Sequence, residues 1–119
     1  MFESLSPKER LRKQKDFSLL YRKGSRFNGR YIALIYRPND MNFSRLAAIA
    51  SIKNVGNSVK RNKARRWIRT LFRRNKEALK TPLDIIVIAN KGIHKASWKM
   101  VQSEYLKAIT NINIKSRVV

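Results

Sequence analysis

Between residues 41 and 76 the chain carries no acidic residue, yet residues 61–74 alone supply seven Lys and Arg on a helical pattern. Ala64, Trp67, Ile68, Leu71 and Phe72 recur at i, i+3, i+4 and i+7, the apolar stripe of an amphipathic helix expected over residues 59–76. Gly56, Asn57 and Ser58 provide the break and the N-cap before it. At about 100° per residue, Asn62, Arg65, Arg66, Arg69, Arg73 and Lys76 fall on the opposite side. A solvated basic face is usually laced with acids three or four residues away. This one has none, so its counter-charge must come from elsewhere.

The rest of the chain does not supply it. Lys and Arg number 28 against 7 Asp and Glu, a formal charge of +21 on 119 residues. Self-repulsion on this scale opposes compaction unless a polyanion offsets it, and nucleic acid is the obvious candidate. A membrane-active or DNA-compacting basic protein is the competing class; membrane binding would call for a basic helix with a wide, exposed apolar face. With 43% hydrophobic residues the chain can fill one core, so a single domain spanning 1–119 is expected, loose at 1–8 and 114–119. The absence of cysteine and the single His94 exclude zinc fingers, thiol nucleophiles and disulfide frameworks. The longest apolar run, residues 83–89, is too short to span a bilayer, and the first fifteen residues lack the apolar core of a signal peptide. A cytoplasmic protein without a membrane partner is expected.

Two starts compete for the first helix. Ser6, Pro7 and Glu9 have the form of a capping box, whereas the basic run 10–15 favours a later start. Gly24, after Arg22 and Lys23, marks its end. Residues 31–36 and 46–52 read as two antiparallel strands around the turn residues Pro38, Asn39 and Asp40. Tyr31, Ala33 and Ile35 on the first, and Ala47, Ile49, Ser51 and Lys53 on the second, make lighter sides that are candidates for an exposed sheet face. Residues 83–89 form a nearly continuous apolar run, expected to be a central strand. Trp98, Val101, Tyr105, Ala108 and Ile112 line one face of a last helix.

The carboxylates are few and scattered, and His94 lies in a loop among lysines, so no catalytic set is evident. Binding is better supported. Guanidinium groups spaced along a rigid helix match phosphates spaced along a strand, although such a helix can also enter the major groove of DNA. Asn62, in the first turn, can donate to phosphate and accept from a metal-bound water. If the Phe17 and Tyr21 side of the first helix borders the exposed sheet face with Tyr31, aromatic rings and cations would line a groove suited to stacking unpaired bases; plain core packing is the alternative for Phe17 and Tyr21.

The segment KNVGNSVKRNKARRWIR, residues 53–69, resembles the signature of the protein subunit of bacterial ribonuclease P, a glycine turn leading into a basic helix opened by an Arg-Asn-Arg type motif. The resemblance extends in order over nearly the whole chain, through Leu11-Arg12, Lys15-Asp16-Phe17, Arg45-Leu46 and Asp84-Ile85-Ile86-Val87. Two departures stand out: Lys63 where the motif usually has arginine, and Asn54 where a second lysine usually follows Lys53. The first keeps charge but loses bidentate geometry, and the second weakens one phosphate contact.

This resemblance implies an accessory subunit that binds a large catalytic RNA and precursor tRNA, with the RNA performing magnesium-dependent hydrolysis that removes the 5′ leader. No obligatory protein partner is implied. Lys53, Arg61, Asn62, Lys63, Arg65, Arg66, Arg69 and Arg73 would then contact the catalytic RNA, and Phe17, Tyr21 and Tyr31 the single-stranded leader. Magnesium would be held mainly by the RNA, with Asn62 near it and no direct protein ligand. The implied fold is a compact α+β domain, a mixed, mostly antiparallel sheet with about three helices, ribosomal protein S5 domain 2-like. Its strand-helix-strand crossover is left-handed, against a rule that holds in roughly 98% of such connections. The same fold makes an rRNA-binding protein or RNA chaperone the alternative function. The family also favours an extended segment before the first helix, which agrees with self-repulsion in the run 10–15.

Overall fold

The computed structural model describes the backbone of residues 6–117 and the side chains of residues 6–114. Its first element is a 3₁₀ turn, Pro7–Glu9, where the Glu9 carboxylate accepts hydrogen bonds from the Ser6 backbone N–H (3.2 Å) and hydroxyl (2.9 Å). The capping pair therefore forms, but it closes one turn. Arg10 is already extended, and the Leu11 N–H donates to the Leu46 carbonyl (3.0 Å). Helix α1 (Gln14–Lys23) starts only after the basic run, as charge repulsion favours. Gly24 ends it in an extended conformation, φ −73° and ψ 152°, not in a left-handed cap. Contact is what selects glycine here: a Cβ would lie 2.6 Å from the Leu20 carbonyl oxygen and 2.8 Å from Ile35 Cγ2.

Four strands follow in one sheet: β1 (Ser25–Asn28), β2 (Ile32–Pro38), β3 (Arg45–Ile49) and β4 (Leu83–Ala89). Their spatial order is β1-β2-β4-β3, with β1–β2 and β2–β4 antiparallel and β3–β4 parallel. Strands β2 and β3 do run in opposite directions, yet β4 lies between them and bonds to both, so they form no hairpin. The apolar run of β4 earns it that central place, because it must be covered on both faces. Strand β1 was not anticipated. Its sequence SRFN is mostly polar and exposed, and its pairing with β2 creates it.

Strand β3 also ends earlier than its sequence suggests. Ser51 caps a short helix α2 (Ile52–Val55), accepting from the Asn54 N–H (3.1 Å), so Ser51 and Lys53 are not on the sheet face. Gly56, at φ +116°, makes the turn into α3 (Ser58–Arg74), a conformation side chains rarely adopt. Asn57 caps α3 by accepting from the Lys60 N–H (3.0 Å). After 3₁₀ turns at Lys76–Ala78 and Ile93–Lys95, α4 (Trp98–Arg117) completes this compact α+β domain.

One sheet face supplies the larger core, with Ile32, Leu34, Leu46, Ile85 and Val87 packed beneath Ile68 and Phe72 of α3 and Val101 and Tyr105 of α4. The other face is small: Leu11, Leu20, Ile35 and Ile86 are buried, with Phe17, Ala47, Ile49 and Ile88 packed around them. Ala33 and Ile35, expected to be open, are therefore buried. The part of this face left open lies at β3, where Ala47 and Ile49 are half-buried. At the ends, residues 6–8 belong to the first turn and its cap, and 114–117 continue α4; the remaining residues expected to be loose lie outside the described residues.

Candidate nucleic-acid interface

Four of the acids, Asp84, Asp16, Glu104 and Glu9, hold the fold together. Asp84 accepts from Arg45 Nε (2.8 Å) and Nη2 (2.6 Å) and from Asn39 (2.9 Å), while Asp16 stands 3.7 Å from the same guanidinium. The Asp84 hydrogen bond raises the Arg45 pKa above its ordinary value, against the opposing effect of burial. Glu104, on α4, accepts from the backbone N–H groups of Arg30, Tyr31 and Ile32 at 2.7–2.8 Å, clasping the turn into β2. Glu9 receives the Lys76 ammonium at 2.6 Å. Burial pushes the Glu9 pKa up, but hydrogen bonds from Lys76 and Ser6 prevail and hold it below its ordinary value. Lys76, placed on the free basic face by its spacing, lies beyond α3 and is neutralised.

The middle of helix α3 keeps its charge by contrast. Arg65, Arg66 and Arg69 meet no carboxylate among the described residues. Arg69 shows the consequence: burial, then repulsion from Arg65 and Arg10, lowers its pKa. A guanidinium remains protonated at neutral pH, and the repulsion from Arg65 and Arg10 is the part of this effect that an incoming phosphate would relieve.

Arg69 lies in the wall of a groove of about 430 Å³ that it shares with Phe17 of α1. Arg10 and Arg12 of the extended N-terminal segment line the same groove, whose floor includes Ala47, Ala48 and Ile49 of β3. One concavity thus joins an aromatic ring, three guanidinium groups and an apolar floor of small side chains. Arg10 and Arg12 were missed as binding residues, because the run 10–15 was read for what it says about helix boundaries. Its charge density was the available signal.

The other expected site residues are more dispersed. Tyr21, one turn beyond Phe17, is 51% exposed and does not line the groove. Tyr31 packs against the larger core, on the α3 and α4 side, with Arg30 over its ring at 5.4 Å; the structure does not bring it to Phe17. The Glu104 clasp fixes the backbone of that turn ahead of the strand alternation, so counting alternate residues back from β2 fails there. Arg66 is exposed, and Arg61 and Arg73 are half-buried. Arg65 donates to the Asn62 side-chain oxygen, which leaves the Asn62 amide N–H₂ as its outward-directed function. Lys63 sits on the other flank of α3, its ammonium 5.0 Å from the Trp67 ring centroid. Lys53 is exposed on α2.

No cluster of three His, Asp or Glu able to hold a metal ion exists among the described residues. Asn62 alone, with its oxygen already engaged by Arg65, does not make a magnesium site. Among the same residues, no helix is long and apolar enough to cross a membrane.

Residues 5–113 match the family model for ribonuclease P. The ribonuclease P protein component of Thermotoga maritima is 38% identical over 93 residues, covering 78% of this chain and 79% of that protein. The same component from Petrotoga mobilis is 31% identical over 114 residues, 92% of this chain and 96% of that protein. Among solved structures, the ribonuclease P protein of T. maritima superimposes with a TM-score of 0.78 at 33% identity, covering 87% of this chain and 96% of that one. That of Staphylococcus aureus gives 0.77 at 31% identity, covering 88% and 94%.

Proposed function

The chain belongs to the bacterial ribonuclease P protein family, the protein component of an endoribonuclease ribonucleoprotein, and from that premise we propose how its surface divides the work. The outer side of α3, through Arg61, Asn62, Arg65, Arg66, Arg69 and Arg73, grips the catalytic RNA by its phosphates. The groove between α1 and β3 receives the unpaired 5′ leader of precursor tRNA. Phe17 stacks on a base there, Tyr21 extends the aromatic surface along α1, and Arg10 and Arg12 hold the leader backbone. Lys53 and Lys63 add charge at either side of the helix, and Tyr31 has no place in this groove. The observation that carries the reading is the single cavity shared by Phe17 and Arg69. Two segments of RNA bound on such a surface are held together, which makes the protein a clamp between the leader and the catalytic RNA.

The chemistry of leader removal belongs to the RNA, and magnesium is held by RNA phosphates. The protein contributes positive charge that lowers repulsion between the two RNA molecules. Reconstitution tests this: the protein alone cleaves nothing, and added to the catalytic RNA it raises cleavage of precursor tRNA most strongly at low magnesium. Absence of stimulation at every magnesium concentration would overturn the reading.

A further inference from the structure

On the flank of α3 away from the Phe17 groove lies a second concavity of about 260 Å³, enclosed between the first half of the helix and the turn Ile93–Lys95. Its apolar walls are Val59, Ala64, Trp67 and Ile93, and its polar lining comes from Lys60, Lys63 and His94. Val59 is 75% exposed, a branched apolar side chain offered to solvent where a basic helix surface has no packing use for it. Trp67 is braced from behind by an edge contact with Trp98, centroids 5.6 Å apart and planes at 75°. Its indole carries the Lys63 ammonium at 5.0 Å. An exposed cation–π contact is weaker than a base stacked on indole, and Lys63 is a flexible, exposed cover.

We infer that this pocket takes one unpaired nucleotide, its base between Val59 and Trp67 and its phosphate held by Lys60, His94 and a displaced Lys63. The volume is below that of sites for drug-sized ligands, about 300–1,000 Å³, and suits a single ring system. The lining selects the ligand class: apolar walls around an aromatic ring, rimmed by cations with no acid among them, match a planar heterocycle carrying negative charge and reject an acidic or purely aliphatic partner in different ways. That the nucleotide belongs to RNA rests on the function proposed above. With it, α3 has a base-binding site on each flank and phosphate contacts along its crest.

The chain has two tryptophans, Trp67 and Trp98, and neither lines the Phe17 groove; Trp67 lines this pocket and Trp98 does not, so a shift of the Trp67 indole N–H signal in NMR larger than that of Trp98 reports on the pocket. Titration of the full chain with AMP at physiological salt moves the Trp67 signal saturably, and ribose 5-phosphate and inorganic phosphate bind about tenfold more weakly, the effect of losing one base stack. Val59→Asp, an exposed substitution that leaves the core intact, weakens AMP by about tenfold, whereas Phe17→Ala leaves the titration unchanged. Equal binding of AMP and phosphate, an unaltered titration in Val59→Asp, or loss of the response in Phe17→Ala would each overturn the pocket. Reconstituted cleavage by the wild-type protein separates the two readings. Cleavage without an AMP response sinks the pocket alone, and an AMP response without cleavage sinks the ribonuclease P assignment of function while the nucleotide site stands.

Discussion

Arg45 and Arg69 lie on adjoining elements, β3 and α3, and the protein treats them in opposite ways. Arg45 is enclosed by Asp84 and Asp16, and its charge is strengthened by hydrogen bonding; Arg69 is crowded by burial and by Arg65 and Arg10, and its charge is disfavoured. The difference teaches how Glu9, Asp16, Asp84 and Glu104 are deployed when 28 bases must be managed. They are used to fasten chain segments: β3 to β4, the first turn to the end of α3, and α4 to the turn before β2. Among the described residues no acid meets Arg65, Arg66 or Arg69 on the crest of the basic helix, so that region stays ready for an anion from outside.

Removing the fastening should have the largest effect. Asp84→Ala leaves Arg45 with only the distant Asp16 in a setting about 15% exposed, and should cost about 3 kcal/mol in urea unfolding while hardly altering the salt dependence of RNA binding. Phe17→Ala should instead spare stability relative to that change and reduce the preference for precursor over mature tRNA by roughly tenfold or more, the loss of one stacked base of about 1–3 kcal/mol. Equal losses of affinity for both RNAs would contradict a leader groove.

Arg66→Ala and Arg69→Ala probe the other side of the comparison. Each should weaken binding of the catalytic RNA and flatten the log–log salt slope by about 0.7–0.9 per lost phosphate contact. Stability should stay level, or rise for Arg69→Ala as repulsion with Arg65 and Arg10 is relieved. A clear loss of stability would mean that Arg69 is neutralised within the fold.

The smallest effect is at Glu9. Its folded pKa lies below the ordinary 4.5, so its contact with Lys76 stabilises above that value and is lost as pH falls through the depressed folded pKa. Glu9→Gln should therefore cost about 1 kcal/mol near neutrality, and its unfolding curve should merge with that of the wild type in acid. A gap that persists unchanged in acid would assign Glu9 a role independent of its charge.

How far the chain could be read differs element by element. The stripe 64, 68, 71, 72 and the opposing arginines of α3 were legible because a helix places residues by local geometry alone, and the apolar run of β4 announced its central position for the same reason. The family motif at residues 53–69 was legible too, since it is contiguous. Strand β1 was not, because SRFN has no intrinsic strand pattern and exists through β2. The side taken by Tyr31 was also hidden: Glu104, more than seventy residues away, grips that turn and sets it.

By itself, then, the order of residues determined that this protein has a basic helix without internal counter-charge, an apolar central strand and an aromatic first helix, all consequences of local spacing and composition. Tertiary structure alone decided that β4 separates β2 from β3, which acids reach which bases, and that Phe17 and Arg69 face one groove while Val59 and Trp67 face another. Those outcomes depend on contacts between residues tens of positions apart, and their energies exist only once the sheet has brought the segments together.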